Sequence, residues 1–277
     1  MSSKLIYIHF AFILLAQILT FSCRKLGCTD PNAINFDSNA KKSDNSCEYS
    51  LDTTFNISIK FSHFFGDDIF SLDSIYTDDY GNKIQFSRAN FYLGKLHFKD
   101  SNKEIVDNSN KYLLISVTKT DYDYDTINST NIDYIDFILG VDSITNHLDP
   151  ASYESANDLS YQTPSMHWQM GLSPSDWSYL FIVFEGKVDI NNNQSFESGE
   201  NFIFHIGGDD FSLMKNNLQC NILKTSSSSV ELNLKANWDV LIKEINLSTD
   251  NFTHTSDNFS LATKVIENSE QFITANI

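Results

Sequence analysis

The chain is predicted to be all-β, an antiparallel β-sandwich with a short C-terminal helix. Three observations point there. Phe55-Asn56-Ile57-Ser58-Ile59-Lys60-Phe61-Ser62 alternates strictly, with Phe55, Ile57, Ile59 and Phe61 on one face and polar residues on the other, the mark of a half-buried strand. Comparable β-rich runs follow at 89–98, 112–118, 132–141, 179–190, 201–206 and 230–236, parted by Asp/Asn/Ser/Gly clusters. Amphipathic helices do not intervene between them, which argues for a sandwich and against βαβ units. The helix is expected near 258–272, where Asn258 can cap and Leu261, Val265, Ile266 and Phe272 fall roughly on one side.

The composition supports a folded body and excludes some functions. Among 277 residues, 19 Lys+Arg face 36 Asp+Glu, a formal net charge of −17. A field of that sign repels phosphate backbones and anionic lipid surfaces, so nucleic acid is excluded as a partner. Hydrophobic residues make up 41% of the chain, with 22 Phe and 12 Tyr, enough for a core and too many for disorder.

The N-terminus is an address. Lys4 precedes an apolar run from Leu5 to Phe21, interrupted by His9 and Gln17, as in the h-region of a secretory signal. Leu19-Thr20-Phe21-Ser22-Cys23 is similar to a bacterial lipobox. Residues 1–22 are therefore read as a lipoprotein signal peptide and Cys23 as the lipidation site, giving an exported cell-envelope lipoprotein, periplasmic or on the outer-membrane surface. Acyl chains at about 0.8 kcal/mol per buried CH₂ would anchor it against its own negative charge.

Residues 23–50 then form a tether, and 51–277 the sandwich domain. Cys28 and Cys47 bracket a polar stretch with too few apolar residues for a core of its own. A disulfide between them would remove about 3 kcal/mol of unfolded-state freedom, which such a segment needs. The stretch resembles the GCTDPxAxNY-type Cys module of secreted proteins from Bacteroidetes-like bacteria. Asp30, Asn32, Asn35, Asp37 and Asp44 either surround Ca²⁺ or simply form turns. Cys220, without a partner, is expected to be a buried thiol.

One hairpin loop carries a sharper signal. Asp189, Asn191, Asn193, Ser195, Glu197 and Glu200 place oxygens at positions 1, 3, 5, 7, 9 and 12 of an EF-hand-type spacing, with Gln194 where glycine is usual. The loop fits either calcium held as in a dockerin-like turn or an Asn-rich hairpin connection. Symmetric pairing about it sets His205 opposite Phe184 or Glu185, so a carboxylate can orient that imidazole.

Histidines are the remaining chemical signal. His63 continues the apolar parity of its strand, His205 sits in Phe204-His205-Ile206-Gly207-Gly208, and His167 stands beside Trp168 between Met166 and Met170. Each alone reads as a hydrogen-bonded structural histidine; converging, they would make a copper site, since imidazole suits copper and thioether favours Cu(I).

These motifs also carry a family likeness. Phe61-Ser62-His63-Phe64-Phe65-Gly66, Asp79-Tyr80-Gly81-Asn82-Lys83, Phe86-Ser87-Arg88-Ala89-Asn90-Phe91-Tyr92-Leu93, Ile138-Leu139-Gly140-Val141-Asp142, Met166-His167-Trp168-Gln169-Met170, Trp177-Ser178-Tyr179, Phe184-Glu185-Gly186 and Phe204-His205-Ile206-Gly207 follow in order, with His254 before the helix. In that order they resemble the methanobactin-associated periplasmic copper-binding (MbnP-like) domain. The resemblance implies an exported β-sandwich that in some members binds copper through histidines and a tryptophan oxidised to kynurenine. By motif it puts His63, Trp168 and His205 at matching places, while His167 fills a slot where an aromatic is commoner. An unmodified Trp168 is expected to pack in the core.

No Gly-x-Ser-x-Gly, His-Glu-x-x-His, P-loop or Gly-x-Gly-x-x-Gly pattern occurs, so no enzymatic activity is expected. Two functions stand. One is copper binding or delivery through His63 and His205, helped by His167 or His254, with a periplasmic redox or copper-handling partner. The other is a non-catalytic surface module binding glycan or protein, its loop stabilised by calcium.

Overall fold

A computed structural model of the chain describes residues 24–31, 33–48, 54–169 and 171–275. The signal peptide and Cys23 lie outside these residues, as do Asn32 and Met170. The chain divides into two compact units that part between Thr53 and Thr54.

In the first unit β1 (Leu26–Gly27) and β2 (Lys42–Ser43) pair in parallel. The Cys28–Cys47 disulfide joins Cα atoms 4.7 Å apart. Its acidic and amide side chains serve turns: Asp37 accepts from the Asn39 N–H at 2.9 Å, and Asp44 from the Ser46 N–H at 3.0 Å. Asn35 accepts from the Glu48 N–H at 2.8 Å and donates to the Ser46 carbonyl at 2.5 Å. Asn35, Asp37 and Asp44 thus take the turn-forming roles open to them. With so little apolar burial, the crosslink is the main constraint on the segment. Dithiothreitol is expected to open residues 24–48 to trypsin, and the Cys28→Ser/Cys47→Ser variant to be cleaved there without reductant. Equal protease resistance of reduced and oxidised protein would contradict this.

The second unit is the sandwich. Its strands are β3 (Phe55–Phe65), β4 (Asp68–Ile69), β5 (Ile75–Thr77), β6 (Lys83–Lys99), β7 (Ile105–Asn108), β8 (Tyr112–Ser116), β9 (Asp121–Ile127) and β10 (Tyr134–Leu139). After the short helix α1 (Ser143–Asn146) come β11 (His167–Gln169), β12 (Trp177–Val188), β13 (Asn201–Gly207), β14 (Leu213–Gln219), β15 (Ile222–Lys224) and β16 (Ser229–Asn237). The helix α2 (Trp238–Leu241), β17 (Phe252–Thr253), the helix α3 (Phe259–Ser269) and β18 (Ile273–Ala275) complete the chain. A ten-stranded sheet runs β14-β10-β6-β12-β13-β17, with β5, β7 and β8 added on β6 and β11 on β12. The six-stranded sheet opposite runs β15-β16-β3-β4, with β9 on β3 and β18 on β16.

Most ladders are antiparallel, as expected, but β3 pairs with β16 and β13 with β17 in parallel. Parallel neighbours need a long crossover. Both pairs join segments far apart in the chain, and local sequence gives no sign of them.

Alternation fills the space between the sheets. Ile57, Ile59 and Phe61 of β3 are buried there, and the Phe91 ring of β6 lies 5.6 Å from Phe61 and 5.0 Å from Phe272. Phe86, Phe184, Phe202 and Phe204 line the same inner face. Asn258 caps α3 through the Leu261 N–H, and Leu261, Ala262 and Val265 of that helix are buried. Cys220 is a buried free thiol, and burial pushes it up to about 12.

A third layer covers the outer face of the large sheet and positions the site. The connection from α1 to β11 lies there, held by the Tyr92 hydroxyl donating to the Asp158 carbonyl at 3.0 Å and the Tyr179 hydroxyl to the Leu159 carbonyl at 2.6 Å. Met166 and Leu159 are buried beneath it.

Candidate functional site

Parity decides which histidines can meet. Phe202, Phe204 and Ile206 of β13 point inward, so His205 points to the outer face of the large sheet. His63 has the parity of Ile57, Ile59 and Phe61 and points into the space between the sheets. A whole sheet separates the two, with facing sheets about 10 Å apart. The pairing of His63 with His205 expected from the sequence is therefore not built.

His63 is instead a core residue, 6% exposed, stacked between Phe61 and Trp238. The Trp238 indole N–H donates to its Nδ1 at 3.2 Å, and Nε2 has no partner. Burial lowers it to about 4, so it is neutral near neutral pH.

His167 also stands apart. Its ring packs edge-on against Tyr179 at 4.7 Å and near Trp177 at 6.1 Å, and neither ring nitrogen has a partner. Side chains alternate along β11, so the neighbouring Trp168 leaves on the opposite face. Burial lowers His167 to about 4.

His205, His254 and Trp168 are the group that does converge. Strand β17 runs parallel to β13, with Ile203 beside Phe252 and Phe204 beside Thr253. One further step in that register sets His254 beside His205, and their rings stack with centroids 4.8 Å apart and planes 26° apart. That separation is the ordinary spacing of neighbouring strands. The Trp168 ring centroid lies 6.3 Å from His205 and 6.0 Å from His254. Trp168 is half-buried and packs against the edge of the hydrophobic core, as expected of an unmodified indole, while its ring also borders the two imidazoles.

The turn after β17 is strained in a way that serves this stack. Thr255 has φ 65°, left-handed and rare for a β-branched residue. Its hydroxyl donates to the His205 carbonyl at 3.0 Å and accepts from the Gly207 N–H at 3.0 Å. The turn carrying His254 is thereby clamped to the strand carrying His205.

Behind His205 stands a charged pair on neighbouring strands. Glu185 Oε1 lies 2.9 Å from His205 Nε2, and Arg88 Nη1 lies 2.9 Å from the same oxygen. The expected carboxylate is thus in place, although the residue directly opposite His205 is Val183, and Glu185 reaches from two positions along the same face. The His205 contact, helped by Arg88, holds the Glu185 carboxyl below the usual range against the opposing effect of burial. Arg88 Nη2 also donates to the Ser165 carbonyl at 2.8 Å and touches Met166 Sδ at 3.1 Å. Sequence reasoning missed Arg88; its only available signal was an arginine directly before the predicted apolar run 89–98.

Beside Trp168 and His254 a cleft of about 440 Å³ opens, with Gly207 and Gly208 in its floor and Phe211, Phe259, Asp209, Asp210 and Asp257 around it. Burial first, and then the neighbouring His205, lower the His254 pKa. His254 thus favours the neutral form that ligates metals.

A family model described as MbnP matches residues 54–259. The chain belongs to the MbnP family. Among solved structures, MbnP from Methylosinus trichosporium is similar at 8% identity, over 68% of this chain and 77% of that one, with a TM-score of 0.47. No curated protein matches the chain. The MbnP match covers the sandwich up to the start of α3, including Arg88, Trp168, Glu185, His205 and His254.

The predicted calcium loop is held by hydrogen bonds among its own residues. Asp189 accepts from the Asn193 and Gln194 N–H groups at 3.1 and 2.8 Å. Glu200 accepts from the Ile190 and Glu197 N–H groups at 3.2 and 2.7 Å, and Asn193 donates to Glu197 at 2.7 Å. Asn191 and Asn193 side chains accept from the Asn193 and Ser195 N–H groups. Gln194, at φ 66°, takes the left-handed conformation that glycine has at that position of an EF-hand. Among the described residues no group of three or more His, Cys, Asp or Glu side chains could hold a metal ion. At the end of β13, His205 and His254 set two imidazoles beside the Trp168 indole.

Proposed function

We propose that this MbnP-family protein binds copper on the outer face of its large sheet, with His205 and His254 as ligands and Trp168 beside them, and that it acts in copper binding or delivery in the cell envelope. One observation carries the reading: three segments distant in the chain bring two imidazoles and an indole within 6.3 Å of one another, ring to ring. The donor set suits copper, since neutral imidazole ligates it and a two-nitrogen site leaves positions open for exchange. Copper bound there would be cargo for transfer or a one-electron redox centre.

The chain's own residues do the remaining work. Thr255 fixes the spacing of the two imidazoles, Glu185 and Arg88 fix the ring of His205, and Trp168 shields one side. The open cleft beside His254 gives access from solvent. Export and lipid attachment at Cys23 belong to the same reading and rest on the signal and lipobox residues. Among the described residues no helix is long and apolar enough to cross a membrane.

Metal analysis of protein purified from its native compartment tests the site. On the order of one copper per chain is expected in the wild type, and none in His205→Ala/His254→Ala. His63→Ala is expected to keep its copper while losing stability, because that ring lies on the wrong side of the sheet. Copper retained by the double variant, or lost from folded His63→Ala, would overturn the assignment.

A further inference from the structure

We infer that Glu185, fixed in turn by Arg88, is a positioning residue that holds His205 in the tautomer protonated at Nε2, so that His205 offers only Nδ1 to a metal ion. The metal half of this rests on the copper reading above; the tautomer does not depend on it.

A neutral imidazole has one N–H and one lone pair, and an ionised carboxylate can only accept. The 2.9 Å contact between His205 Nε2 and Glu185 Oε1 therefore places the proton on Nε2 and the lone pair on Nδ1. Glu185 cannot easily turn away, because the same oxygen accepts from Arg88 Nη1 at 2.9 Å. Arg88 is anchored at its other amine by the Ser165 carbonyl at 2.8 Å. Residues 88, 185 and 205 stand on the adjacent strands β6, β12 and β13, with Arg88 and Glu185 in register. Their side chains are 13%, 28% and 17% exposed, so water competes poorly for these bonds. Carboxylates that accept from the remote nitrogen of a ligating histidine fix ring and tautomer in this way, and losing one costs about 10–100-fold in metal affinity.

Two readouts separate this from the copper reading. In metal-free, ¹⁵N-labelled wild type, long-range ¹H–¹⁵N correlation is expected to show His205 protonated at Nε2; protonation at Nδ1 would overturn the inference whether or not copper binds. In Cu(I) titrations against bathocuproine disulfonate, Glu185→Leu is expected to weaken binding about 10–100-fold and to mix the tautomers. Glu185→Gln, whose amide oxygen can still accept from both neighbours, is expected to restore the Nε2–H tautomer and most of the affinity. Wild-type affinity in folded Glu185→Leu would overturn the positioning role. Failure of the wild type to bind Cu(I) would remove the copper reading and leave the tautomer to be judged by the first measurement.

Discussion

Replacing Gly207 with alanine is expected to break the site and weaken the fold together. A Cβ at this position would stand 2.4 Å from the Tyr179 carbonyl oxygen, 3.1 Å from Ser178 Oγ and 3.4 Å from Trp168 Cζ3. The first contact is with backbone, which cannot rotate away as a side-chain end can. Gly207 is also paired to β12 at Leu180 and donates to Thr255, so β13 cannot retreat without releasing the turn that carries His254. Overpacking of this kind costs about 1–3 kcal/mol, and two ladders at once place Gly207→Ala at about 3 kcal/mol. Urea unfolding should show the loss as a lowered midpoint. Trp168 should shift in fluorescence as its indole is pushed off Gly207, against a Trp168→Phe background that identifies its share of the emission. Copper affinity should fall with it. A Gly207→Ala protein with wild-type midpoint and emission would show that the backbone accommodates the methyl and that the indole does not depend on the glycine.

Much of the architecture is legible along the chain because strands announce themselves by local alternation. The run from Phe55 predicts its own buried face, the Asn258 cap predicts α3, and Cys28 and Cys47 predict their bond. The symmetric hairpin even brings Glu185 to His205. Legibility ends where distant segments choose each other. His205 and His254 meet because β17 joins β13 in parallel, and nothing within either segment encodes that partnership. His63 misleads for a related reason. Its parity correctly sends it inward, but whether inward is also where His205 points depends on the face that β13 turns to the other sheet. The alternation of Phe202, Phe204 and Ile206 already held that answer, since a histidine flanked by inward residues must point out. Trp168 is harder to place from sequence, because the three residues of β11 make no pattern long enough to fix a face.

Acid is expected to destabilise the protein through His63, and the effect can be assigned to that residue. Burial takes His63 from an ordinary 6.5 to about 4. The geometry gives a second reason for resistance to protonation. Nδ1 already accepts the Trp238 indole N–H, so a proton added there would set two N–H groups against each other inside the core. Between these two values the unfolded chain takes up a proton that the native protein refuses. Unfolding is then accompanied by proton uptake, and stability falls as pH drops, at about 1.4 kcal/mol per pH unit within the window. The contribution is complete above pH 6.5, and about 3 kcal/mol of it is gone by pH 4. Carboxylates such as Glu185 add their own acid sensitivity, so the decisive quantity is a difference between proteins. His63→Phe keeps a flat ring against Phe61 and cannot titrate, although it strands the Trp238 N–H at a cost of about 1–3 kcal/mol. Wild type should therefore be the more stable protein at pH 7, with its advantage shrinking by about 3 kcal/mol and reversing toward pH 4. A wild-type advantage that stays constant from pH 7 to pH 4 would mean that His63 is protonated as easily in the core as in the unfolded chain, and that the Trp238 bond does not hold it neutral.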